Sequence, residues 1–258
     1  AVALAVAVGL PVTVALALSR VPDPPREAVP PDAPRMTFRE AARTLAENRP
    51  FRTLIGAWFV NGAANALPAS LFLFFVSDRL MAGEQAGVLF LAYFASAVAG
   101  IPFWNWASRR GSVHRVWGWA MIYACVIFSA ALFLGEGDVW AFAALSVLTG
   151  LAFGADLALP PAIQADVVAA DTEATGRQRA GIFFAIWQVA TKAALAISSG
   201  LAYIALEFAG FTAGGENDAS ALWALTLLYA GAPIVLKLIA VSMMWRFTLE
   251  PDPKAAPA

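Results

Sequence analysis

Lys192 stands in the middle of an apolar run, with Gln188 four residues before it and Ser199 seven after. At 100° per residue the three fall within about 40° of one another, so the helix carries one polar stripe. An ammonium ~18 Å from a helix start near Ala180 lies too deep in a ~30 Å hydrocarbon core to reach water by snorkelling. Ionisable residues at that depth are costly, and they mark solute or ion pathways. A second segment entering from the same side carries Trp58, then Asn61 and Asn65 one turn apart, the two amides at depths of about 15 and 21 Å that bracket Lys192. Two amides, an indole and an ammonium at one level suit recognition of a hydroxyl-rich solute: the amides exchange hydrogen bonds, and the aromatic ring covers the solute's apolar ring surface. The competing reading makes Asn61 and Asn65 interhelical glue and Lys192 a structural charge.

Asp156 and Lys237 are the other charges inside apolar segments. Their similar depth makes them candidates for an ion pair, since either alone would be costly in the membrane. The rival pairing is Asp156 with Lys192. Cys125 is the single cysteine, and His114 is the single histidine, expected to be solvated beside Arg109, Arg110 and Arg115. No cysteine pair, histidine–carboxylate cluster or nucleophile motif is present, so neither a metal site nor covalent catalysis is expected, and a membrane enzyme is the least favoured class.

The elements that must position these residues are membrane helices. Hydrophobic residues make up 60% of the 258 and charged ones 14%, far more apolar surface than one soluble core hides. A net charge of −1 gives no basic field for nucleic acid. An all-α polytopic membrane bundle is expected, with spans near 1–19, 51–77, 86–107, 114–134, 139–160, 180–206 and 220–247. The domains read as a span at 1–19, a Pro-rich linker with an amphipathic helix at 20–50, a six-helix bundle at 51–249 and a tail at 250–258. The amphipathic helix, Met36 to Asn48, is expected to lie at the headgroups.

Seven Lys and Arg lie between Arg20 and Arg52, three between Arg109 and Arg115, two at Arg177 and Arg179, and two after the last span. The opposite connections hold only Arg79 among their seven acids, Asp78, Glu84, Glu136, Asp138, Glu207, Glu216 and Asp218. By the positive-inside rule the linker, the 108–115 loop, the 161–179 loop and the tail are cytoplasmic. Asp166, Asp171, Arg177 and Arg179, with Arg109 and Arg110, form a candidate charge network that breaks and remakes as helix ends separate. Asp156 and Lys237 belong to the same gating set.

The segment from Pro102 through Ser108-Arg-Arg-Gly111 to Arg115 resembles the short basic loop of the major facilitator superfamily. The stretch Leu159-Pro160-Pro-Ala-Ile-Gln-Ala-Asp166 through Asp171, Glu173, Gly176, Arg179 and Gly181, continuing through Phe183, Lys192 and Gly200 to Gly210-Phe211, is similar to the glycoside, pentoside and hexuronide cation symporters, the melibiose permease group. The resemblance implies the carboxy-terminal half of a twelve-helix transporter cut within its sixth helix, moving a glycoside or similar polar solute with Na+ or H+ by alternating access. It places the coupling-ion site in an amino-terminal bundle outside this sequence, which would be the partner, and the protein in a bacterial inner (plasma) membrane. A lipid or lysolipid carrier of the same fold is the alternative, with Lys192 meeting a headgroup phosphate.

Overall fold

The computed structural model describes residues 11–16, 19–20, 39, 43, 46–176 and 178–249. The chain divides into two compact units, 1–40 and 41–258. In the first, residues 11–16 and 19–20 are helical and exposed; the rest of the expected first span and the Pro-rich linker lie outside the described residues, as does Arg177. Most of the expected amphipathic helix falls there too, though Arg43 and Glu47 form an i,i+4 ion pair at 2.6 Å.

The second unit contains six helices long and apolar enough to cross a membrane: α1 (Arg49–Arg79), α2 (Gly83–Ser108), α3 (Val113–Phe133), α4 (Val139–Thr175), α5 (Ala180–Phe208) and α6 (Ala219–Trp245). Their starts follow local chemistry. Asn48 accepts from the Phe51 N–H and Pro50 sits in the first turn of α1, where its missing donor is harmless. Asp218 caps α6 by accepting from the Ala221 N–H and then the Ser220 hydroxyl, which together hold its carboxyl below the usual range.

The main departure from the sequence reading is at 161–179, expected as a loop. α4 runs through Pro160 and Pro161 to Thr175 and stops at Gly176, whose φ of 65° is the left-handed cap glycine favours. The prolines cost the helix two hydrogen bonds, but beyond them Ile163, Gln164, Val167 and Asp171 recur at helical spacing and are buried. That packing carries the helix onward, so Asp166 and Asp171 are helical residues.

α1 is central, packed against α5 and α6; α4 packs on α2 and α3, and α3 on α6. In lipid, apolar burial between helices gives little drive, and close van der Waals contact carries association. The α2–α4 seam shows it: a Cβ on Gly100 would lie 2.5 Å from the Leu151 carbonyl oxygen, one on Gly154 2.5 Å from that of Ala97, and one on Gly150 would strike Ser96 and Tyr93. Two hydrophobic clusters result. One gathers Phe51, Leu54, Trp117, Leu159, Phe183 and Met244; the other gathers Leu71, Phe75, Phe142, Leu206, Leu225 and Tyr229. Between these clusters lie Asn61 and Asn65 on α1 and Lys237 on α6, with Asp156 of α4 at the edge of the first, beside Ala155.

Candidate functional site

Asp156 is 6% exposed and accepts three hydrogen bonds. The Trp117 indole N–H donates to Oδ1 at 2.6 Å, Asn65 Nδ2 donates to Oδ2 at 2.9 Å, and Lys237 Nζ donates to Oδ2 at 3.2 Å. Lys237 also donates to Asn61 Oδ1 at 2.7 Å. The Asp156–Lys237 pairing expected from depth is thus present, and the rival pairing with Lys192 is not. A buried ion pair holds only when its remaining bonding capacity is met, and here an indole and two amides from α1 and α3 meet most of it. Asn61 itself is fully buried, with its Nδ2 lacking a partner among the described residues.

Above this cluster lies a cavity of about 110 Å³ bounded by α1, α2, α3, α4 and α6. Asn65, Asp156 and Lys237 form its polar end, and Phe72, Tyr93, Phe153 and Tyr229 are among its aromatic walls. Pro68 of α1 also lines it and has no N–H to offer the Ala64 carbonyl one turn back. Tyr229 stacks on Phe75 with centroids 4.1 Å apart and planes 10° from parallel. Both rings belong to π-turns, Phe75–Arg79 in α1 and Leu227–Gly231 in α6, a winding that concentrates at functional positions.

Lys192 and Gln188 are exposed on α5, apart from the buried cluster. The sequence reading set Lys192 level with Asn61 and Asn65; the structure instead gives those amides to Lys237 and Asp156. The reason is helical phase. α5 packs through Phe183, Trp187 and Ala194, and Lys192 lies roughly 150° round the helix from the last two. Trp58, half-buried, stacks on Trp187 at 4.4 Å and donates its indole N–H to Thr191 Oγ1 at 2.8 Å, so it sits on the α1–α5 seam one residue from Lys192.

Of the candidate charge network, Arg179 and Asp171 meet: Nη2 donates to Oδ1 at 2.6 Å and Nε to Oδ2 at 3.0 Å, while Asn48 Nδ2 donates to the same Oδ1 at 3.0 Å. One carboxylate thereby ties the starts of α1 and α5 to the end of α4. Asp166 is exposed and has no ion-pair partner among the described residues. Arg110 lies over the Trp106 ring at 3.9 Å, and Arg109 is exposed. His114, expected in solvent, is half-buried against the Phe247 ring at 5.3 Å. Among the described residues no three His, Cys, Asp or Glu side chains converge on a metal site. Trp117 was missed from sequence, although a buried indole N–H needs an acceptor and Asp156 was the carboxylate at hand.

Several relatives share this chain's pattern at modest identity. A sodium-dependent lysophosphatidylcholine symporter of Danio rerio is 24% identical over 84% of this chain and 41% of its own length. A sphingosine-1-phosphate transporter of Xenopus tropicalis is 26% identical over 83% of this chain and 42% of its own. An uncharacterized symporter of Synechocystis is 29% identical over 72% and 36%. The chain spans about four-tenths of the length of the first two. The family described as MFS/sugar transport protein matches residues 1–251, and with six apolar helices folded as above the chain belongs to that family of the major facilitator superfamily.

Proposed function

We propose that this chain is the carboxy-terminal bundle of a cation-coupled symporter that carries an amphipathic solute by alternating access. The observation that carries the reading is the neutralised Asp156–Lys237 cluster at the floor of an aromatic-walled cavity, with a second lysine, Lys192, exposed on α5 and in no ion pair among the described residues. A solute with an apolar body and a polar head finds both environments on one bundle. Two relatives whose names specify a lysophospholipid and a phosphorylated sphingoid base point the same way. Lys192 and Gln188 would meet the polar head from α5, Trp58 would hold that helix against α1, and the Asp171–Arg179–Asn48 cluster would latch the basic end. The bundle would rock against a second one around a midplane site, with the coupling Na+ or H+ bound on that second bundle. The setting would be a bacterial inner membrane, with the basic connections inside.

A polar glycoside is the second reading, favoured by the stacked Trp58 and Trp187 rings beside Thr191 and by the family's description. Vesicles containing the full-length protein should be loaded against a Na+ or H+ gradient and offered labelled lysophosphatidylcholine and labelled glycosides. Gradient-dependent uptake of the lysolipid alone supports the first reading, and of the glycoside alone the second. Chemical turnover without uptake would overturn both.

A further inference from the structure

We propose that the cavity inside this bundle is a ligand site of its own, taking a neutral group of one aromatic ring or a short alkyl segment that carries a hydroxyl or carbonyl oxygen. Its size sets the ligand's bulk. About 110 Å³ is far above the ~10–15 Å³ that one water needs and near the ~150 Å³ of an apolar cavity that takes benzene. A whole lysolipid does not fit; a ring or part of a chain does.

The charges set the ligand's neutrality. Asp156 and Lys237 already cancel at the polar end, so an ionic group brought there would be desolvated without a free counter-charge. Unused hydrogen-bonding capacity sets the need for an oxygen. Lys237 has three N–H donors and spends two, on Asn61 and Asp156. Asn65 spends one N–H on Asp156, and its carbonyl has no partner among the described residues. Tyr229 and the half-buried Tyr93 both line the cavity, and neither hydroxyl makes a hydrogen bond among the described residues. Tyrosine hydroxyls facing such a cavity ordinarily find a partner, and a ligand oxygen placed between the two phenols and the Lys237–Asn65 pair would supply it.

Access and rigidity complete the site. The cavity opens between α1 and α2, where Ala69, Phe90 and Phe94 line it and are also exposed. At its far wall, Tyr229 is held by its stack on Phe75, so the phenol is fixed before a ligand arrives. The ligand's oxygen-bearing ring or chain has two sources: a segment of the transported solute, or a separate small molecule.

The test uses full-length protein in phosphatidylcholine vesicles, photolabelled with 4-azidobenzyl alcohol and mapped by mass spectrometry. Adducts should concentrate on the peptides of Tyr93–Phe94 and Tyr229 and fall at least tenfold with excess benzyl alcohol. Tyr229→Phe should weaken labelling about fivefold. Ala124→Phe, which fills the cavity, should abolish it; Ala69→Trp, at an exposed position by the mouth, does the same if the first variant does not fold. Adducts spread over exposed apolar residues such as Val126 and Leu201, indifferent to competitor and variants, would overturn the proposal. Benzyl alcohol that raises KM for uptake identifies the solute's own segment as the occupant, whereas lowered maximal rate at constant KM identifies a separate ligand. Labelling is read without transport, so it stands whether or not the proposed solute is carried.

Discussion

Breaking the Asp156–Lys237 pair tests the structure where it is most constrained. In Asp156→Asn the ammonium of Lys237, its side chain 12% exposed, keeps Asn61 but loses its counter-charge. Removing one partner of a buried pair costs about 3–5 kcal/mol, because the other charge is stranded. Lys237→Met leaves a carboxylate that still accepts from Trp117 and Asn65, so it should cost less, about 1.5–3 kcal/mol. The double variant buries no net charge and should cost no more than about 3 kcal/mol, giving a coupling of at least about 1.5 kcal/mol. Unfolding of full-length protein in mixed micelles, followed by tryptophan fluorescence, measures all four corners of the cycle. Additivity within about 0.5 kcal/mol would refute the pairing. Lys192→Met replaces Lys237→Met as the control, and it should show no coupling to Asp156.

Lys192→Gln should leave expression and unfolding near normal while abolishing concentrative uptake; Lys192→Arg should rescue poorly, because a planar fork does not replace a compact ammonium. Normal uptake by Lys192→Gln would make this lysine dispensable. Asn48→Ala removes both the α1 cap and a bond to Asp171 and should lower stability by about 1–2 kcal/mol in the same fluorescence assay, an effect Asn48→Asp should not match because it sets two carboxylates together. Single cysteines at Ala28 and Ala255 of the full-length protein should resist an impermeant maleimide added outside intact cells, and ready labelling of either would reverse the orientation.

The six spans were legible because each is a long apolar run between charged or glycine-rich breaks, and the family because its motif is carried by residue identities, which hold although Asp166 and Asp171 are helical and not in a loop. The α4 extension was not, since Pro160-Pro161 is a strong local stop signal and the buried spacing beyond it, Ile163, Gln164, Val167 and Asp171, only persuades once a neighbour is known. Depth counting brought Asp156 and Lys237 together, but depth ignores rotation about the helix axis, and Lys192, near the level of Trp58, faces away from that cluster. The small and aromatic residues Phe183, Trp187 and Ala194 already marked the packed face, and a phase argument from them would have turned Lys192 outward. Nothing local announced the two π-turns or the Phe75–Tyr229 stack, which depend on helices far apart in sequence.

The glycine seam between α2 and α4 decides which wall of the bundle can yield. Backbones that meet through Gly100, Gly150 and Gly154 have no side-chain cushion to compress, so the two helices bend as a single thick plank. α1 meets no such seam at the mouth, and it is interrupted at Pro68 and wound loosely from Phe75 to Arg79. Widening of the cavity mouth on that side would fall on α1. Since α5 is fastened mainly to α1, through Trp58 and through Ser70 and Ser199 with oxygens 2.6 Å apart, flexing one swings the other. Filling the cavity and repositioning Lys192 would then be two ends of the same lever.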